Sequence, residues 1–579
     1  MQGHYPKILI NHVGFCPEAG KYAAIDGITG VEERFRVVKM NQLGDNPVLT
    51  GPLVQFGSDL GNYLVGDLSN LREPGVYRIY VSGQYPFVRK GGALDVRSYD
   101  FRIEDRVWDE PLKKLVNYYQ MQSCGSSKRG YNRPCHTGKI RRDDGGEAKP
   151  VPGGWHSAHD GSRTVHEIIH GLYGLQALAS LRPDLREELD LLHEIRWGNE
   201  YFLTIQDPAG FLHHGVTLSA EAFHDAVKHN WWDTASYFMR TRPAPLYLQY
   251  HFSGAQALFS MLFREKDPAY ADRCLQAGIR CFEYAGSQKH CPWFGEQTSY
   301  ELGTAISAGV HLFRATGQER YRDFAGEMAR RLLDLQTETG FWQEQTGGAF
   351  IADATDVDHE KLVARTIYAP LVVLGLIDAT RWLKDEPGRP RWLKSLSRFA
   401  ENCIGRFSRA NAFGIMPYRI FNEAPRQTCR DWNGARYRYF METNYAIFHS
   451  PKEFCWQTGN NPNVAGYGVA LIQLAKLLNA PELMKLAQRQ LDWVLGVNPF
   501  DASMIIGVGR NQPAVYAGTQ MVPRPPEITG AVLQGPIGDA EDNPVIIPGY
   551  YPVAEYWMPT QAWALWLMAG LSRKSDTDG

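Results

Sequence analysis

Ile168-Ile169-His170-Gly171-Leu172-Tyr173-Gly174-Leu175-Gln176-Ala177-Leu178 repeats apolar side chains at intervals of three and four residues, the spacing that gathers them on one side of an α-helix. The same period recurs in Glu194 to Ile205, Ala255 to Phe263, Leu302 to Ala315, Phe324 to Leu335, Leu371 to Trp382, Val464 to Leu478 and Pro481 to Leu495. Extended to about a dozen helices separated by long loops, this succession predicts paired helices set around a ring. Loops such as Gly340-Phe341-Trp342, Pro292-Trp293-Phe294-Gly295 and Asp431-Trp432-Asn433-Gly434 would crowd one rim of it, where a ligand would bind.

Upstream of Pro111 the pattern differs. Lys7-Ile8-Leu9-Ile10, Arg34-Phe35-Arg36-Val37-Val38, Tyr63-Leu64-Val65, Val76-Tyr77-Arg78-Ile79-Tyr80 and Tyr99-Asp100-Phe101-Arg102-Ile103 are rich in β-branched and aromatic residues, with Pro and Gly clusters between them. They predict an immunoglobulin-like β-sandwich over residues 1–104, followed by an all-α toroid over 105–579. A chain of 579 residues exceeds what one compact core usually holds, which agrees with two domains. Lys plus Arg number 61 against 63 for Asp plus Glu, a balance that offers no basic surface to nucleic acid. No apolar run spans a bilayer and none at the start has signal-peptide character, so a cytoplasmic protein with no membrane partner is expected. Nine cysteines, an odd number scattered along the chain, fit a reducing compartment better than a disulfide framework. The 15 tryptophans suit stacking on sugar rings as well as filling the gaps between helices.

Pro152-Gly153-Gly154-Trp155-His156-Ser157-Ala158-His159-Asp160 resembles the signature of glycoside hydrolase family 9: Gly-Gly-Trp, an aromatic or His, then Asp-Ala-Gly-Asp. The resemblance extends along the chain. Ile10-Asn11-His12-Val13-Gly14-Phe15 is similar to the opening strand of that family's N-terminal domain, and Trp493-Val494-Leu495-Gly496-Val497-Asn498-Pro499-Phe500 to a late helix end. Gly535-Pro536, Asp539, Asp542 and Ala554-Glu555 are similar to its C-terminal block. The resemblance implies an (α/α)6 barrel and an inverting hydrolase, with Asp160 as the base that activates water and Glu555 as the acid that protonates the leaving oxygen. It also marks a departure: Ser157 stands where the family has an assisting Asp, and His159 where it has Gly. A hydroxyl can hold water but brings no negative charge. Ser157, His159, Trp155, Asp539 and Asp542 are the expected substrate contacts, and Asp539, Glu541 and Asp542 candidate sources of the negative field that would keep Glu555 protonated.

Cys124, the adjacent Cys135-His136 and His156 give Cys-x10-Cys-His-x19-His, two thiolates and two imidazoles. Four such ligands close a structural tetrahedral Zn2+ site, and the resemblance implies zinc here, since some family members carry it with this ligand order. A competing pattern is His166-Glu167-Ile168-Ile169-His170, His-Glu-x-x-His, with Glu187, Glu188 or Glu194 as third ligand, which would make a metallopeptidase. The expected function is hydrolysis of β-linked oligosaccharides or polysaccharides. Gly507-Val508-Gly509-Arg510-Asn511-Gln512-Pro513 lacks the His-His-Arg run of the family's endo-cellulases, which favours an exo-acting enzyme of the glucosidase or glucosaminidase kind. The alternative is a sugar-binding or non-hydrolytic barrel protein whose chemistry was altered at Ser157.

Overall fold

The structure, a computed structural model, describes residues 6–27, 31–40, 46–58, 60–84, 93–125, 134–219, 234–288, 298–337, 348–350, 369–421, 430–432, 435–440, 458–516 and 528–572. The N-terminal part is all β: β1 (Lys7–Leu9), β2 (Gly14–Phe15), β3 (Tyr22–Asp26), β4 (Val31–Lys39), β5 (Pro47–Ser58), β6 (Gly61–Asp67), β7 (Gly75–Gln84), β8 (Ala93–Arg97) and β9 (Phe101–Ile103). They follow the order β1-β3-β6-β5-β4-β7-β9-β2, with β8 beside β7. β5 joins two layers, pairing with β4 over Pro47–Pro52 and with β6 from Leu53 onward. Alternate residues such as Phe35 and Val37, Tyr77, Ile79 and Val81, and Phe101 and Ile103 are buried between the layers. β3, β5 and β8 were not among the expected strands. β5 carries Pro47, Pro52 and two glycines, which blur the alternation; Gly51 is required because a Cβ there would run into the Phe35 ring.

Twelve long helices follow among the described residues: α1 (Asp109–Gln122), α2 (Val165–Leu181), α3 (Leu191–Thr204), α4 (Leu246–Phe263), α5 (Pro268–Ser287), α6 (Thr298–Thr316), α7 (Glu319–Asp334), α8 (Ala369–Trp382), α9 (Arg389–Phe399), α10 (Asn461–Leu478), α11 (Pro481–Val494) and α12 (Met558–Leu571). The even-numbered helices pack in succession and α12 returns to α2, closing an inner ring, while the odd-numbered ones lie outside against them. Sequence dictates which is which. α4 is buried on nearly every face, whereas α7 buries only Tyr321, Ala325, Ala329 and Leu332, a single stripe. No helix of the described residues is long and apolar enough to cross a membrane.

A five-stranded sheet, unexpected from sequence, arises where inter-helix loops pair: β10 (Lys139–Arg142), β11 (Lys149–Pro150), β12 (Arg163–Thr164), β13 (His213–Leu218) and β14 (Tyr237–Pro243). β12 leads directly into α2, so this sheet frames the loop that precedes it. Of the expected rim loops, Pro292–Gly295, Gly340–Trp342 and Asn433–Gly434 lie outside the described residues.

The two parts meet through Asn11 and His12. Asn11 Nδ2 donates to Asp492 Oδ1 at 2.8 Å, the His12 amide donates to the Leu495 carbonyl at 2.9 Å, and His12 Nε2 lies 2.8 Å from Asp501 Oδ1.

Candidate active site

Residues 152–164 approach the rim as a tightly packed loop. Gly153 and Gly154 have φ of 76° and 77°, and a Cβ at either would strike α3, at the Trp197 carbonyl or the Tyr201 ring. This close approach drives Trp155 inward. Its indole is fully buried, donates from Nε1 to Glu194 Oε1 at 2.8 Å, and lies over Gly198, where a Cβ would overlap it. Trp155 is therefore a wedge between helices, which corrects its expected role as a substrate contact.

Asp160 and Glu555 come together because they precede the first turns of neighbouring inner helices, α2 and α12. The Met558 amide donates to the Ser157 carbonyl at 2.9 Å, and Trp557 Nε1 donates to Glu167 Oε1 at 3.0 Å, tying the two helix starts to each other. Asp160 is not the cap of α2; Thr164 occupies that position. The Asp160 carboxylate accepts from the Ser162 amide (3.0 Å) and hydroxyl (2.7 Å), and its backbone carbonyl accepts from the Tyr237 hydroxyl at 2.5 Å. It remains partly exposed, and an ionised carboxylate so bound has lone pairs left for water.

Glu555 is in the opposite setting. It is 9% exposed, its Oε2 accepts from Gln534 Nε2 at 2.8 Å, and its Oε1 faces Nδ1 of His159 in a close hydrogen bond. Burial raises its pKa above the ordinary glutamate value; His159 opposes that rise, and the charges of Asp160 and Glu167 add to it. Burial acts to lower the pKa of His159, but Glu555, Asp160 and Glu167 outweigh it, so the imidazole is raised above 6.5.

The field on Glu555 thus comes from Asp160 and Glu167, a correction to the expectation for Asp539, Glu541 and Asp542. Asp539 accepts from the Glu541 and Asn543 amides and from Asn543 Nδ2, bracing its own loop. Asp542 is fully buried at φ 62° and accepts from the Tyr439 and Phe440 amides, so it clamps the chain rather than a sugar. Ser157 is buried too, its Oγ accepting from the Thr164 amide at 3.3 Å, and Thr164 Oγ1 in turn donates to Glu167. Gln534 is a site residue that sequence reasoning missed, and Glu167 one that it placed in another role. Nothing local marks Gln534, while the signal for Glu167 is a carboxylate three residues after Thr164, which stands at the N-terminal boundary of α2.

The His-Glu-x-x-His reading is overturned. His170 is buried against His251 and Trp563, and burial pushes its pKa down to about 3. Glu194 is held by Trp155 and Ser123, while Glu187 and Glu188 pair with Lys266 and Lys113. Among the described residues the one group of Cys, His, Asp or Glu side chains disposed to hold a metal is Cys124, Cys135, His136 and His156, all buried, with ligand atoms within 4.8 Å of one another.

Three close pairs among those atoms have the spacing of ligands around one tetrahedral cation. Bonds of about 2.0–2.3 Å to imidazole nitrogen and thiolate would separate the ligands by roughly 3.3–3.8 Å. Here Cys124 Sγ lies 3.3 Å from His136 Nδ1, Cys135 Sγ 3.4 Å from His156 Nε2, and the two sulfurs 3.8 Å apart, too far for a disulfide. His136 adopts φ 50°, which turns two adjacent residues toward the same point. This group of side chains leans on the loop that carries Asp160: the His136 ring packs 4.3 Å from that of Tyr237, whose hydroxyl holds the Asp160 carbonyl.

Comparison with known proteins bears on the family and the fold. Residues 108–545 match the family described as glycosyl hydrolase family 9, and residues 4–85 the cellulase N-terminal ig-like domain. A cellodextrinase of Butyrivibrio fibrisolvens is 23% identical over 538 residues, covering 87% of this chain and 85% of its own. A single mutant of a thermostable endoglucanase from Alicyclobacillus acidocaldarius superposes with a TM-score of 0.70 at 18% identity, over 98% of this chain and 99% of that one. A zinc-binding triple mutant of a family 9 endoglucanase gives 0.66 at 19%, over 97% and 100%.

Proposed function

The chain belongs to glycosyl hydrolase family 9, and on that premise we propose that this glycoside hydrolase cleaves short β-linked glucan chains by inversion, releasing sugar from one end. Asp160 takes a proton from the attacking water, whose oxygen bonds to the anomeric carbon; Glu555 protonates the glycosidic oxygen as its bond breaks. The observation that carries the reading is the contrast between two carboxylates at one rim: Asp160 open to water, Glu555 buried with its pKa raised. Short chains are supported by the cellodextrinase relative. End-on action is supported by residues 507–513, which lack a basic run and spend Arg510 on the Tyr99 ring (3.5 Å) and Asn511 on the Asp501 carbonyl (2.7 Å). The burial of Ser157, with no carboxylate at that position, favours the second reading, a barrel that binds sugar without cleaving it.

Zn2+ held by Cys124, Cys135, His136 and His156 belongs to the same proposal. With four protein ligands a zinc ion supplies a fixed cross-link rather than an activated water. This chain's residues do the rest, with His136 and Tyr237 passing that rigidity to the backbone of Asp160.

The test is product analysis on cello-oligosaccharides. Release of single sugars as the α-anomer is expected, and random internal cleavage would sink the end-acting proposal. Asp160→Ala and Glu555→Gln should each lower turnover at least ~100-fold with the fold intact. No cleavage of any β-glucan by the wild type, alongside measurable binding, would establish the second reading.

A further inference from the structure

We propose that His159 and Glu555 act as one acid: a single proton is held between Nδ1 of His159 and Oε1 of Glu555 and reaches the leaving oxygen from that pair. The inference rests on the reading of Glu555 as the acid and assigns His159 as the positioning residue that determines when the acid is loaded.

The geometry sets His159 and Glu555 face to face across one hydrogen bond. Oε2 of Glu555 is committed as acceptor to Gln534 Nε2 at 2.8 Å, and the Gln534 amide donates to the Glu555 carbonyl at 3.1 Å, so this side of the carboxylate is fixed. Oε1 faces His159, whose ring is set edge-on against Tyr516 at 4.9 Å. The backbone next to His159 is anchored as well, through the Tyr237 hydroxyl on the Asp160 carbonyl. Among the described residues, the charged and titratable groups that act on the pair include Asp160 on the same loop and Glu167 on α2, and the buried hydroxyls of Tyr118 on α1 and of Tyr556, with Tyr516, lie near Glu555. Three carboxylates thus surround one imidazole, and both partners titrate above their ordinary values.

Two sites sharing one proton hold it to a higher pH than either does alone. In the reaction the shared proton passes to the glycosidic oxygen, which keeps the bonding electron pair. The proton of the attacking water goes to Asp160, and the pair is left empty until solvent reloads it. The alkaline limb of kcat therefore reports the pair, and removing His159 moves it toward lower pH, the loss of the shared site outweighing the relief of the opposition that His159 puts on the Glu555 pKa.

With cellotetraose as substrate, His159→Gln and His159→Ala should lower the alkaline limb of kcat by about one pH unit and turnover at pH 7 by about tenfold, with KM within about threefold of wild type. In protein labelled at histidine 13Cε1, the resonance lost in His159→Gln should titrate above 6.5 in the wild type and fall to or below the ordinary histidine range in Glu555→Gln. Should the His159 variants not fold, the histidine resonance whose titration falls between wild type and Glu555→Gln serves as the reporter, and the absence of any such resonance overturns the pair. A limb that stays put or rises while kcat falls, or a His159 titration indifferent to Glu555→Gln, overturns the pair. Full activity in Glu555→Gln would instead overturn the assignment of the acid itself; an inactive Glu555→Gln with an unmoved limb in the His159 variants overturns the pair alone.

Discussion

Glu167 shows how a residue acquires its role from its surroundings. In sequence it is the central carboxylate of His-Glu-x-x-His; in the structure it accepts from Thr164 and from Trp557 Nε1, and its charge bears on Glu555 and His159. It raises the pKa of both, so its removal should lower both. Glu167→Gln is expected to move the alkaline limb of kcat downward and, above that limb, to lower activity by about tenfold for every pH unit the limb moves. Ser157→Asp would place a carboxylate beside Thr164, one residue contact from Glu167. In the Glu167→Gln background it should return part of the lost activity, read as kcat on cello-oligosaccharides. No recovery would show that Glu167 acts through the packing of Trp557 and not through its charge.

At the scale of elements, the loop before α2 is held at both ends. Cys124 and His156 are tied through backbone bonds, the Cys124 amide to the Gly154 carbonyl (3.0 Å) and the His156 amide to the Gln122 carbonyl (2.8 Å), and the four ligands converge beneath. If zinc occupies them, purified protein should contain about one Zn2+ per chain, and Cys135→Ser should lose it together with several kcal/mol of stability, because metal binding is coupled to folding. Metal content by mass spectrometry and thermal unfolding check this. His166→Ala should leave the metal in place, since His166 lies on the helix beyond the loop. Cys124, Cys135, His136 and His156 were legible through the family resemblance, whose ligand order they follow. The roles of Trp155 and Asp542 were not, because an aromatic beside a glycine pair and an aspartate in a loop read alike whether they face sugar or core.

Across the whole molecule the two domains are latched by Asn11 on Asp492. Burial raises the Asp492 carboxyl from 3.8 to about 7, and the hydrogen bonds from Asn11 and Gln488 and the charges of Arg489 and Lys21 only partly offset it. The folded protein then keeps a proton that the unfolded chain releases, so stability falls as pH rises from about 4 to about 7, by roughly 4 kcal/mol at most. Asp492→Asn, which retains an acceptor for Asn11, should flatten that slope in thermal unfolding followed from pH 4 to pH 7. The change from strands to helices and many of the helices were readable from the chain, because periodicity is a local property; the closed ring and the pairing of Asp160 with Glu555 came through the family resemblance, and β3, β5, β8 and the five-stranded sheet did not show. What only tertiary structure decided is which distant groups meet. Gln534 and His159 close on Glu555, Glu167 supplies charge in place of the acidic 539–542 loop, and Asn11 finds Asp492 nearly five hundred residues away. Desolvation and pairing depend on what packs against a side chain after the ring has closed, and sequence spacing carries no record of that.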